Sequence, residues 1–246
     1  MRITALMTTI LALVAAPLAQ ADSQLVANLK AGKSQKIVTY GTSLTAGGAW
    51  VGHLQKALDA SYPGLATIVN SGGSGQYSQW GVANLDARVL KHAPDLVTIE
   101  FAVNDAVTRF HCPLAQAKAN LEDMVTRLQK ARPACEIILI TTTPADQHPV
   151  GHFSHREDIA PYYEMYRQVA KERKLSVVDL HPQWLELRKA DPKTFARLVP
   201  DAIHATPEGC QRIVSPGILK ALGLMAAPAT LPATPATPVA ADQPRP

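Results

Sequence analysis

Five short apolar runs, separated by stretches long enough for a helix, recur along this chain, and their alternation constrains the fold more than any other feature. The runs lie at 36–40 (KIVTY), 66–70 (ATIVN), 95–101 (DLVTIEF), 136–142 (EIILITT) and 175–179 (LSVVD). Each is too short for a stable helix and rich in β-branched residues, so each reads as a strand buried on both faces. Stretches with helical periodicity occupy 50–60, 80–92, 114–131 and 158–174. Parallel neighbours require crossover connections, so the predicted fold class is α/β, a three-layer α/β/α sandwich around a five-stranded parallel sheet. A last helix is expected from Thr206 as N-cap, with Pro207 at its first position, Gly209 and Cys210 in its first turn and a kink or interruption at Pro216.

The ends of the chain read differently. Residues 1–21 carry Arg2, an apolar run from Ala5 to Ala19 and small residues at Ala19 and Ala21, the pattern of a secretory signal peptide cut after Ala21. That run is shorter than the ~20 apolar residues a spanning helix needs. Residues 226–246 are rich in Ala, Pro and Thr with no aromatic residue, and are expected to form an extended, solvated tail. One folded domain is therefore expected over 22–225, exported to a bacterial periplasm or medium. The 246 residues carry a net charge of +4, from 24 Lys+Arg against 20 Asp+Glu, too little imbalance for a dedicated nucleic-acid binder. No stable membrane insertion is expected, and the chain is expected to be a monomer.

In parallel α/β sheets ligands bind beyond the carboxyl ends of the strands. Those positions hold Gly41-Thr42-Ser43-Leu44-Thr45 after the first run, Asn70-Ser71-Gly72-Gly73-Ser74-Gly75 after the second and Ala102-Val103-Asn104-Asp105 after the third. Asp201-Ala202-Ile203-His204 stands just ahead of the last helix. A serine hydroxyl needs a base to become a nucleophile, and an imidazole titrates in the right range, so His204 suits Ser43. Asp201, three residues earlier, can accept the other ring N–H and stabilise the imidazolium. Donors for a tetrahedral oxyanion are available at the backbone N–H groups of Ser43 and Gly75 and the side-chain amide of Asn104. Taken singly each has a plainer explanation. Ser43, Gly75 and Asn104 all suit turns, and Asp201 with His204 suits a local helix cap.

Together, in this order, the four segments resemble the SGNH (GDSL) hydrolase superfamily of serine esterases. The resemblance covers the folded body and implies a flavodoxin-like sheet. It matches Ser43 to the nucleophile, Gly75 and Asn104 to oxyanion donors, and Asp201 with His204 to the remaining pair. Thr42 stands where the family usually has Asp, and Ala102 where it usually has Gly. The first departure leaves open how the nucleophile loop is pinned.

The resemblance implies a metal-independent serine esterase without a cofactor, acting on a small-molecule or glycan ester through an acyl-serine intermediate. Short acyl groups, acetyl first, on a carbohydrate are the expected substrate, the Trp184 segment and the Tyr77/Trp80 pair looking like those of carbohydrate esterases. A broad arylesterase or lysophospholipase, a transferase using the same residues, and a non-catalytic glycan-binding module are the alternatives. Tyr77 and Trp80 suit either a sugar-binding floor or ordinary helix packing. His148, His152 and His155 have a spacing that suits a metal site or a polar loop, and His181 competes weakly as the base. Of three cysteines, Cys112 and Cys210 both lie near the catalytic face and are expected to form a disulfide, leaving Cys135 free.

Overall fold

The structure is a computed structural model that describes residues 23–145, 148–156 and 158–224. The expected signal peptide and Ala/Pro/Thr-rich tail lie outside the described residues. In chain order the elements are α1 (Gln24–Lys30), β1 (Gln35–Gly41), α2 (Ser43–Ala46), α3 (Ala49–Ser61), β2 (Ala66–Asn70), α4 (Ser78–Arg88), β3 (Leu96–Glu100) and α5 (Ala102–Asp105). They continue with α6 (Leu114–Ala131), β4 (Glu136–Thr141), α7 (Ala160–Arg173), β5 (Ser176–Asp179), α8 (His181–Ala190), α9 (Pro192–Leu198), α10 (Pro207–Gly209) and α11 (Ser215–Ala221). β2 has the bounds read from the sequence, and the other strands agree to within one residue at either end.

All four strand pairings are parallel, in the order β2-β1-β3-β4-β5. The chain leaves β1 toward one edge and from β3 onward builds toward the other, so the carboxyl ends of β1 and β3 flank the crevice where such sheets bind ligands. The period-2 alternation of side chains divides the apolar residues between two cores. Val38, Tyr40, Val97, Ile99, Ile137 and Leu139 pack with α4, α6 and α7 on one face. Ile37, Leu96, Ile138, Ile140 and Val178 pack with α1, α3, α8, α9 and α11 on the other.

Local chemistry explains where the helices differ from expectation. α4 stops at Arg88, and a 3₁₀ turn at Leu90–His92 closes with Ala93 in the left-handed region at φ 48°. α1, unforeseen, is capped by the Ser23 side chain, which accepts the Val26 N–H. Thr206 caps α10 as expected, accepting the Gly209 N–H at 3.2 Å. The interruption ascribed to Pro216 takes the form of a π turn at Cys210–Val214 that runs directly into α11. A proline lacks an N–H and its ring crowds the carbonyl four residues back, and a wider turn relieves that crowding without breaking the helix.

The expected Cys112–Cys210 disulfide is not formed, and all three cysteines are free. Cys112 is buried in the core on the α6 side of the sheet and Cys210 in the core on the α3 side. The sheet stands between them, and a disulfide needs Cα atoms roughly 4.4–6.8 Å apart. Among the described residues no helix is long and apolar enough to cross a membrane.

Candidate active site

β1 ends at Gly41, where no side chain fits, because a Cβ would lie 2.5 Å from both the Glu100 carbonyl oxygen and Thr45 Oγ1. Thr42 then starts α2, its Oγ1 accepting the Leu44 N–H at 3.2 Å. The same hydroxyl donates to Glu100 Oε2 at 2.9 Å, and the Thr42 N–H and the Thr45 hydroxyl reach that oxygen at 3.1 Å each. The carboxyl that pins the Ser43 turn is thus supplied by the end of β3 rather than by position 42. Glu100 is almost fully buried, and burial pushes its carboxyl up to about 8 against the pull of these donors.

Ser43, the first residue of α2, is half-buried, and its Oγ lies 2.8 Å from His204 Nε2. His204 Nδ1 lies 2.6 Å from Asp201 Oδ2. The other carboxylate oxygen, Oδ1, accepts the backbone N–H groups of Ile203 at 3.0 Å and His204 at 2.7 Å, so the Asp-x-x-His segment wraps around its own aspartate. Ala202, at φ 62°, makes that wrap possible. Burial by itself raises the Asp201 carboxyl, but the His204 backbone and ring and the Ile203 N–H outweigh it and hold the group below the usual carboxylate range. The segment is tied to the end of β4 by the Thr143 hydroxyl, which donates to the Ile203 carbonyl at 2.8 Å.

Besides Ser43 in α2, the expected oxyanion donors are Gly75 in the turn after β2 and Asn104 in α5. Gly75 has φ +71°, a conformation strained for any residue with a Cβ. Its turn is joined to β1 by the Gly73 N–H, which donates to the Gly41 carbonyl at 2.8 Å. Asn104 is buried in α5, and its Nδ2 donates to the Gln76 carbonyl at 2.8 Å, using one of its two hydrogens. Among the described residues no acceptor takes the backbone N–H of Ser43 or of Gly75. Asp105 turns away from this site. Its Oδ1 accepts the Ser78 N–H at 2.8 Å at the start of α4, and burial pushes it up to about 7.

A cavity of about 220 Å³ opens beside Ser43 and His204. Trp50, Ile140, Leu180, Trp184 and Val214 make its apolar wall, with Glu100 and Cys210 also lining it. Gly75 and Asn104 are not on this wall.

The remaining expectations separate cleanly. Trp184 is fully buried and lines the cavity. Trp80 packs against Tyr40 and Phe101 at ring separations of 5.8 and 6.3 Å, and Tyr77 stacks on Phe110 at 4.5 Å. Neither ring lines the cavity. His181 is buried against the Tyr163 ring 4.8 Å away, and burial, with Arg167 next, lowers its basicity. His148 stacks on His152, and His155 Nδ1 bonds to the His148 carbonyl. Two residues that the sequence reading missed are Glu100 and Arg156. Glu100 carried a signal, being a charge at the end of an otherwise apolar buried strand. Arg156 carried none, since its partner lies 52 positions away.

The Ser43 turn, the Asp-x-x-His segment and the cavity converge at the carboxyl ends of a parallel sheet, and kinship with esterases makes the chain a carboxylic ester hydrolase. The chain belongs to the GDSL-like Lipase/Acylhydrolase family, whose model matches residues 38–212, from β1 into the π turn. An arylesterase of Vibrio mimicus is 26% identical over 186 residues, covering 71% of this chain and 82% of its own. An isoamyl acetate-hydrolyzing esterase 1 homolog of Rattus norvegicus is 30% identical over 161 residues, covering 58% and 63%. Axe2, an acetylxylan esterase from Geobacillus stearothermophilus, superposes with a TM-score of 0.66 at 24% identity, covering 78% of this chain and 95% of its own. Its catalytic mutants include replacements of a Ser, an Asp and a His by Ala.

Proposed function

We propose that Ser43 is the nucleophile of this esterase, His204 its general base and Asp201 the group that holds the imidazole. Ser43 Oγ attacks the ester carbonyl carbon while its proton passes to His204 Nε2, and Asp201 stabilises the imidazolium formed. The backbone N–H groups of Ser43 and Gly75 and the free Asn104 Nδ2–H take the oxyanion. Collapse breaks the bond to the leaving alcohol, which takes the proton from His204. Water then attacks the acyl-Ser43 ester with His204 again as base, releasing the acid and restoring the serine. The observation that carries this reading is the unbroken Ser43–His204–Asp201 line, at 2.8 and 2.6 Å, at the edge of the cavity. Ser43→Ala is expected to abolish release of p-nitrophenol from p-nitrophenyl acetate and labelling by a serine-directed phosphonate, with the melting temperature unchanged. Full activity in that variant overturns the assignment.

The proposed substrate is a short acyl ester, acetyl first, on a carbohydrate. The fold likeness to an acetylxylan esterase supports the sugar. The apolar wall of Trp50, Ile140, Leu180, Trp184 and Val214 supports a second reading, an aryl or alkyl ester with a longer acyl chain. Acetate release from acetylated xylan, beside a chain-length series of p-nitrophenyl esters, separates the two. Specificity constants that rise to octanoyl with no acetate released from glycan favour the second. The proposal includes export after cleavage at Ala21, with one domain over 22–225 and a solvated tail beyond it. N-terminal sequencing of the exported protein should begin at Asp22.

A further inference from the structure

Asn104 serves the oxyanion only if its amide is oriented with nitrogen toward the substrate, because a flipped amide would aim an oxygen at a developing negative charge. Two contacts distinguish the orientations. On one side, Nδ2 donates to the Gln76 carbonyl at 2.8 Å. On the other, Arg156 Nη2 donates to Asn104 Oδ1 at 3.3 Å, and a guanidinium offers only donors, so it rejects the flipped amide outright.

Arg156 is itself built in. It is only 2% exposed, although it sits on a loop. Its Nε donates to the Val103 carbonyl at 2.8 Å and its Nη1 to the Ser154 carbonyl at 2.9 Å. The first of these acceptors belongs to the residue just before Asn104, so the guanidinium grips backbone and side chain of α5 together. Its own backbone is held by a bridge between Val107 and Arg156 and by the Thr108 N–H, which donates to the His155 carbonyl at 3.0 Å. A buried cation is costly to keep, and among the described residues the three acceptors on Arg156 are neutral oxygens rather than carboxylates. A positive charge so placed polarises the Asn104 amide, making its N–H groups stronger donors, and its field favours an anion forming beyond them.

We infer that Arg156 is a positioning residue for the ester hydrolysis, fixing and polarising the Asn104 amide from behind. The inference rests on the proposed oxyanion role of Asn104. It implies that the loop carrying Arg156 controls turnover more than substrate affinity.

Arg156→Lys, Arg156→Met, Asn104→Ala and the Asn104→Ala combinations, with sites counted by phosphonate labelling, test this on p-nitrophenyl acetate. Asn104→Ala is expected to lower kcat by about 10²–10³-fold. Each Arg156 variant should lower kcat per labelled site by on the order of 10²-fold with KM little changed. In the Asn104→Ala background the same changes should cost almost nothing more, since the group they act through is gone. Losses that multiply across the two sites, or Arg156 variants with wild-type kcat per labelled site, overturn the inference and leave the Asn104 reading intact. Wild-type kcat in Asn104→Ala overturns that reading itself. If Arg156→Met is poorly folded, Arg156→Lys decides, because it keeps the charge and loses the planar fork.

Discussion

The two faces of the sheet are built from the same alternating strands yet are finished in different ways. On the α6 side, Val38, Tyr40, Val97 and Ile99 meet α4, α6 and α7, and the rows of β1 and β3 stay apolar as they approach the site. On the α3 side the rows that begin with Ile37 and Leu96 turn polar toward the site, continuing through Thr39 on β1 and through Thr98 and Glu100 on β3. Thr39 and Thr98 are partners in the ladder, and their hydroxyls, with Glu100 Oε1 and Trp184 Nε1, are buried without a hydrogen-bond partner among the described residues. The covering elements follow suit. α6 is 18 residues long, whereas α10, the π turn and α11 are 3, 5 and 7. One face lays its longest helix across the central strands, while the other leaves an apolar-walled cavity beside Ser43 where short, broken helices do not close over it. Ser43 and His204 line that cavity.

If this division holds, the closed face should govern stability alone, which makes it the place for the largest stability effect. Leu128 on α6 is fully buried in that core. Leu128→Ala is expected to destabilise the protein by about 2–5 kcal/mol, from lost transfer free energy plus the void left behind. Denaturant unfolding measures the loss, and kcat per labelled site should be unchanged. A matching drop in kcat would mean that the site leans on the closed face after all.

The opposite change belongs at the cavity. Val214 ends the π turn and already borders the empty volume, so Val214→Ala enlarges an existing space. The expected outcome is a rise of about tenfold in the butyrate-to-acetate ratio of kcat/KM for p-nitrophenyl esters, the effect of a methylene or two in an apolar pocket. Its stability cost should be about 1 kcal/mol, below that of Leu128→Ala, because the surrounding contacts are incomplete to begin with. A ratio that moves in Leu128→Ala and not in Val214→Ala would reverse the comparison.

The division also explains how far the sequence could be read. The five strands were legible because apolar runs of five or so residues between helical stretches admit few other folds. Ser43, Gly75, Asn104, Asp201 and His204 stood out in the sequence because each follows a strand end or precedes a helix cap, and of these the structure brings Ser43, His204 and Asp201 into hydrogen-bonding contact. Which face a loop residue joins was not legible. Cys112 and Cys210 both lie beyond strand ends, yet they enter opposite cores, so proximity in the topology was no guide to pairing. Trp80 was left open for a related reason, since a ring at the start of a helix can turn to the site or to the core, and here it packs against Tyr40 and Phe101. Glu100 and Arg156 act on turns 58 and 52 residues distant, and contacts of that range are set by the fold alone.

Glu100 stands on the open face, and its effect is read from pH. Its folded carboxyl is pushed up to about 8 from an ordinary 4.5, with burial the first cause. Between those values the unfolded chain has released this proton while the folded protein still holds it, so Glu100 makes stability fall as pH rises, by at most about 1.4 kcal/mol per pH unit, and levels off above about 8. Asp105, pushed up to about 7 from 3.8, adds a slope of the same sign at lower pH. Glu100→Gln keeps an oxygen for the Thr42 and Thr45 donors and removes the titration. Relative to wild type, the variant's melting temperature should therefore climb between pH 5 and pH 8 and run parallel above that, while the Asp105 slope remains in both proteins. A difference that stays constant over this range would mean that Glu100 is ionised in the fold. The three donors on Oε2 would then outweigh burial, and the Ser43 turn would be pinned by a charge.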